Sequence, residues 1–128
     1  MKLSELKTID IIALEYRDTV NGNSYFSSNV ILNHGLNNSI QLKIPFQYGY
    51  ELQYLSTSLE EVSKHFKRSQ WYKRYMNKDM IEKKYNIKIN HKIIKGCNKK
   101  ELFHSRDIKK VRLPKIFESN NKSKELLY

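Results

Sequence analysis

Residues 8–32 read TIDIIALEYRDTVNGNSYFSSNVIL, and this stretch decides the fold. Thr8 to Asp18 carries Ile9, Ile11, Ile12, Leu14 and Tyr16 in partial alternation, the mark of a strand. Asn21-Gly22 follows, the strongest short hairpin signal, because both central residues of a type I′ turn need positive φ. The return strand, Tyr25 to Asn33, places Phe26, Val30 and Leu32 at period 2. Downstream, His34-Gly35-Leu36-Asn37-Asn38-Ser39 forms a second turn. A third strand, Ile40 to Phe46, sets Ile40, Leu42 and Ile44 on one face and Gln41 and Lys43 on the other. Pro45 cannot donate to a ladder, so it marks that strand's end or an edge position.

After Gly49 the period changes. Tyr50, Tyr54, Leu55, Leu59, Val62 and Phe66 fall at helical spacing and predict a helix over 51–67. Ser69 would cap a second helix, 70–84, carrying Trp71, Tyr75, Met76 and Met80; the alternative is one long bent helix over 51–84. Asn86 to Lys95 alternates weakly and predicts a short strand ending at Gly96. Asn98 would cap a short helix through His104, and Asp107 to Leu113 would be another strand, stopped by Pro114. Gly49, between Tyr48 and Tyr50, suggests a tight turn with positive φ that sends the two rings to different sides. They would pin helix to sheet or offer a platform to bases.

The predicted fold is therefore α+β: a three-stranded antiparallel meander packed by a helix, then a basic helical and irregular half with one or two short strands. One domain is expected over 1–117 (meander 8–50, helical 51–84, mixed basic segment 85–117), with a flexible tail over 118–128. Its core should include Ile11, Leu14, Phe26, Val30, Leu32, Leu42, Ile44, Leu55, Leu59, Val62 and Trp71.

Charge is split along the chain. From Met1 to Glu60, four cations (Lys2, Lys7, Arg17, Lys43) meet six anions, a net −2. From Glu61 to Tyr128, 20 Lys/Arg meet 7 Asp/Glu, a net +13, which outlines a protein that docks on a polyanion. With 39% apolar residues the chain is globular rather than disordered. No apolar run is long enough to span a bilayer, and Met1-Lys-Leu-Ser-Glu-Leu-Lys lacks the apolar region of a signal peptide. The single cysteine, Cys97, excludes an internal disulfide and fits a reducing, cytoplasmic setting.

Two stretches are candidates for phosphate contact. The first, rich in aromatics, holds Lys64, Lys67, Arg68, Lys73 and Arg74, with Lys78 just beyond it; the second, Lys83 to Lys115, includes Lys83, Lys84, Lys88, Lys92, Lys95, Lys99, Lys100, Arg106, Lys109, Lys110 and Arg112. By period 2, Lys88, Asn90 and Lys92 share one side of their strand. Tyr48, Tyr50 and Tyr72 are candidates for stacking or partner contact. His91, Cys97 and His104 do not have metal-ligand spacing, so no metal or other cofactor is expected. Asp10, Glu15 and Asp18 are the carboxylates a metal-dependent nuclease would need to converge, and nothing in their spacing compels that. Asn21-Gly22-Asn23-Ser24-Tyr25 is similar to the second half of a GIY-YIG nuclease motif, but no Gly-Ile-Tyr precedes it.

Gly22-Asn23-Ser24-Tyr25-Phe26-Ser27, Val30 and Pro45-Phe46-Gln47-Tyr48-Gly49-Tyr50 resemble a family of small bacteriophage and prophage proteins. The resemblance covers residues 9–55. It implies phage origin and a compact sheet-plus-helix unit, and no particular activity. This chain departs from the pattern at Tyr16-Arg17, where an aromatic pair is usual, and at Glu51, where glycine would stand.

The function expected from these features is that of a non-enzymatic, phage-encoded basic protein. It would bind DNA or RNA through its second half, inside a bacterial host. The alternative is a host-takeover or anti-defence inhibitor whose basic face engages a host protein with an acidic or nucleic-acid-binding surface, such as a nucleic-acid-processing or CRISPR-type complex.

Overall fold

A computed structural model describes residues 1–67 and 76–103. A 3-10 turn (Leu3–Glu5) leads into β1 (Thr8–Asp18), β2 (Asn23–Leu32) and β3 (Ile40–Tyr48). Then come α1 (Gln53–His65), α2 (Lys78–Tyr85), β4 (Lys88–Ile94) and α3 (Lys99–Phe103). The fold is α+β, with one mixed four-stranded sheet in the order β3-β2-β1-β4. β1, β2 and β3 form the expected antiparallel meander, while β4 pairs with β1 in parallel, Ile9 opposite Ile89 and Leu14 opposite Ile94. Parallel neighbours need a crossover, and α1 and α2 lie in the connection from β3 to β4.

The first turn differs from the two-residue form that Asn21-Gly22 suggests. Asp18 pairs with Asn23, so four residues make the loop, and only Gly22 has positive φ, at 71°. Asp18 is the reason: one of its carboxylate oxygens accepts from the Val20 and Asn21 amides at 3.0 and 3.2 Å. That side-chain turn competes with the tighter hairpin. At the other end of the sheet, Asn33 is fully buried with φ 53°. Its Oδ1 accepts from the Lys7 and Thr8 amides at 2.6 and 3.2 Å, and its Nδ2 donates to the Glu5 carbonyl at 2.9 Å and Asn38 Oδ1 at 3.1 Å. One side chain thus joins the entry of β1 to the exit of β2.

Both faces of the sheet are covered. On one, Ile9, Ile11 and Ala13 meet Phe26, Val30, Leu32, Ile44 and Ile89 under Leu59 and Val62 of α1 and Ile81 of α2. On the other, Ile12 and Leu14 meet Cys97 and Leu102. The expected core holds, with Leu42 and Leu55 half-buried at its rim; Trp71 lies outside the described residues.

The helix ends are locally determined. α1 stops where Lys67 turns left-handed at φ 57°, and α2 starts at Lys78 behind Asn77, whose Oδ1 accepts from the Met80 amide. One continuous helix over 51–84 is thereby excluded, and the helix bearing Met80 begins at Lys78 rather than residue 70. Ser69, proposed as its cap, lies outside the described residues. Asn98 caps α3 as expected, in a reciprocal box with Glu101. The expected strand at Asp107–Leu113 and the tail over 118–128 also lie outside the described residues.

At the β3–α1 junction the left-handed residue is Glu51, at φ 49°, and not Gly49. Gly49 is needed for space: a Cβ there would stand 2.6 Å from the buried Phe26 ring. Gly49→Ala should cost about 2 kcal/mol through overpacking. Glu51→Gly, which relieves a left-handed residue at an exposed site, should stabilise by up to about 1 kcal/mol. Asn33→Ala, which strands the Lys7 and Thr8 amides and the Glu5 carbonyl at a part-buried site, should cost about 2 kcal/mol. Urea titrations of the three variants against the parent check the order and the signs.

Candidate nucleic-acid interface

The strand registers place side chains in rows across the face that carries Ile12 and Leu14. Gln41, Ile31, Asp10 and Asn90 form one row, and Lys43, Asn29, Ile12 and Lys92 the next. Asn90 Nδ2 donates to Asp10 Oδ1 at 2.8 Å, and Gln41 Nε2 donates to Asn29 Oδ1 at 2.9 Å. Lys88 and Lys92 do share a side of β4, as period 2 requires, but Asn90 between them is buried against Asp10. The stripe is two lysines rather than three polar groups. Lys43, on β3, faces the same way from the opposite edge.

The far end of this face is aromatic, and a β-bulge makes it so. Between Phe26 and Ser28, β3 has one extra residue, so Ser27 stands opposite both Pro45 and Phe46. Proline is tolerated at such a place, on an edge strand and at a bulge. The bulge shifts the alternation, turning Phe46 and Tyr48 away from Ile44 and toward Tyr25. Ring centroids then follow at 6.2 Å (Tyr16–Tyr25), 5.1 Å (Tyr25–Phe46) and 4.7 Å (Phe46–Phe103). Tyr48 meets Tyr50 edge to face at 5.0 Å, so these two do not diverge to different sides. The Tyr50 hydroxyl, which donates to the Gly22 carbonyl at 3.2 Å, ties the junction to the first turn. The Tyr50 hydroxyl also raises the neighbouring Tyr48 phenol above its ordinary pKa. Tyr48 is 51% exposed, Tyr50 39% and Phe103 49%. Lys99 Nζ sits 5.8 Å from the centre of Phe46 and 5.9 Å from that of Phe103.

The other anticipated cations are dispersed. Lys64 lies 3.6 and 3.3 Å from Glu60 and Glu61 on α1, and Lys78 lies 3.1 Å from Glu82 and 3.7 Å from Asp79 on α2. Those pairs divert their charge into the helix surface. Lys83 and Lys84 are exposed on α2, Lys84 near the Tyr85 ring, and Lys67 is exposed after α1. Arg68, Lys73, Arg74, Tyr72, Arg106, Lys109, Lys110 and Arg112 lie outside the described residues. Sequence reasoning counted Lys99 in the second basic stretch and did not single out Phe46 or Phe103 as its neighbours. Phe46 and Tyr48, two apart in an edge strand, were the available signal.

Asp10, Glu15 and Asp18 do not converge. Asp10 and Asp18 stand about 26 Å apart along one strand, eight residues at ~3.3 Å each, and Glu15 points to the opposite face. Among the described residues no cluster of three His, Cys, Asp or Glu side chains is placed to hold a metal ion.

On the other side of the sheet, a cleft of about 670 Å³ opens between Leu52, Leu55, Leu59, Met76 and His91. His91, which lines the cleft, has its Nδ1 2.7 Å from the Tyr54 hydroxyl. Burial pushes the Tyr54 phenol up. Burial, helped by Lys78, pushes the His91 imidazole below 6.5. The hydrogen bond between this imidazole and the phenol ties α1 to β4. Glu82 behaves differently: burial works to raise its pKa, but the Ile89 amide and Lys78 together hold it below 4.5.

No protein-family model, no curated protein and no solved structure matches this chain.

The pKa directions set two windows of pH dependence. His91 binds its proton more readily unfolded than folded. Its contribution is therefore whole above pH 7 and falls as the pH drops through 6.5 toward the lowered folded value. Glu82 contributes above 4.5 and loses that contribution as the pH falls through its own depressed value. Urea midpoints across this range should show a decline beginning near neutrality, and His91→Gln should remove the upper part of that decline while leaving the lower part.

Proposed function

We propose that this protein is a non-enzymatic, phage-encoded nucleic-acid-binding protein acting inside its bacterial host. Its binding surface is the sheet face bearing Lys43, Lys88 and Lys92, together with the aromatic end of that face and Lys99. The observation that carries this reading is that cations from both edge strands share a face with a run of partly exposed rings. Ammonium groups neutralise phosphates and release counterions, and rings beside them accept bases. The +13 carried by Glu61 to Tyr128 supplies a field that speeds encounter with any polyanion. The residues resembling phage proteins, Gly22 to Ser27 and Pro45 to Tyr50, support the proposed origin.

Affinity should fall steeply with salt. Lys43→Ala and Lys92→Ala should each flatten the slope of log K against log salt by about 0.9 on duplex DNA, or about 0.7 on a single strand. Fluorescence anisotropy at four or more salt concentrations measures this. Slopes that both variants leave unchanged would remove the surface from the assignment. A host protein still captured from lysate after nuclease treatment would replace nucleic acid with a protein partner.

A further inference from the structure

The aromatic end of the sheet has a property that phosphate contact does not explain. Tyr48, Tyr50 and Phe103 keep roughly half or somewhat less of their surface in water, although each touches another ring. Phe46 and Tyr25 behind them are half-buried and hold the exposed rings in place. Tyr50 is anchored further through its hydroxyl at the Gly22 carbonyl, and Phe103 through the capped α3. The result is a platform of ordered apolar faces, not a set of loose side chains. Lys99 stands over two of its rings, Phe46 and Phe103.

From this geometry we infer that the platform selects unpaired bases, so that the protein prefers single-stranded to double-stranded nucleic acid. This rests on the nucleic-acid reading above. In a duplex both faces of every internal base are already stacked, and exposed rings gain nothing from them. In a single strand each base has a face to offer. Lys99 adds a positive charge beside the rings, where the phosphate of a stacked nucleotide runs. The lysines along the strands act on either form, because they meet only backbone charge. Base selection therefore belongs to Tyr48, Tyr50 and Phe103, and general affinity to Lys43, Lys88 and Lys92.

The test compares a fluorescein-labelled single strand of mixed, non-self-complementary sequence with its duplex of the same length, at one fixed salt concentration. The parent should bind the single strand at least about fivefold tighter, the lower end of what one stacked base supplies. The double variant Tyr48→Ala with Phe103→Ala should lose that preference, its single-strand affinity falling at least about fivefold further than its duplex affinity. Tyr48→Phe, which retains the ring, should keep the preference; both variants are checked for folding by their urea midpoints. Equal affinity of the parent for the two forms, or a preference indifferent to loss of both rings, would overturn the inference and leave nucleic-acid binding intact. Failure of the parent to bind either form at low salt would overturn the functional reading and this inference together.

Discussion

The structure depends on β1 being paired on both edges and buried on both faces. Its backbone groups must find partners in β2 on one side and β4 on the other, since water cannot reach them. Because side chains alternate, a slip of one residue against either neighbour would exchange the two faces of the strand. Two polar contacts oppose such a slip. Asn33 clamps the start of β1 to the end of β2, and the Asp10–Asn90 bond joins positions 80 residues apart in the chain. A carboxylate buried beside a single matched amide is costly out of register and acceptable in it, so it specifies the pairing more than it strengthens the fold.

With that register set, the rest of the molecule sorts itself by face. Ile9, Ile11 and Ala13 look toward α1 and α2, and Ile12 and Leu14 toward α3. The candidate surface follows from the same alternation, modified once. Unbroken alternation from Ile44 would direct Phe46 and Tyr48 into the core under α1. The extra residue at Pro45–Phe46 turns them over and makes an aromatic corner from what would have been core residues. Gly49 then lets the chain pass close to Phe26, and Glu51 accepts a left-handed conformation to begin the helix.

Electrostatics in the folded chain is not the same as charge in the sequence. Lys64 and Lys78 belong to a basic stretch, yet they lie against carboxylates one helical turn away and contribute little outward field. Lys43 comes from the segment whose net charge is slightly negative, yet it faces the same way as Lys88 and Lys92. Counting cations by position therefore gives the charge a segment carries, and not which lysines share a face.

The three meander strands, the α1 stripe and the Asn98 cap were legible because each is written in residues a few places apart. Alternation, helical spacing and a side-chain cap are short-range sterics and hydrogen bonds that any reader of the chain can find. The direction and place of β4, the bulge at Pro45 and the meeting of Phe46, Phe103 and Lys99 were not legible. They are settled by which distant surfaces pack together, and an edge-strand residue carries no local mark of the partner it will meet. Among the described residues, the sequence by itself determined the type and order of the elements, though not where α2 begins. Only the tertiary structure decided which faces those elements turn to one another, because that choice is made by burial and pairing across the whole sheet.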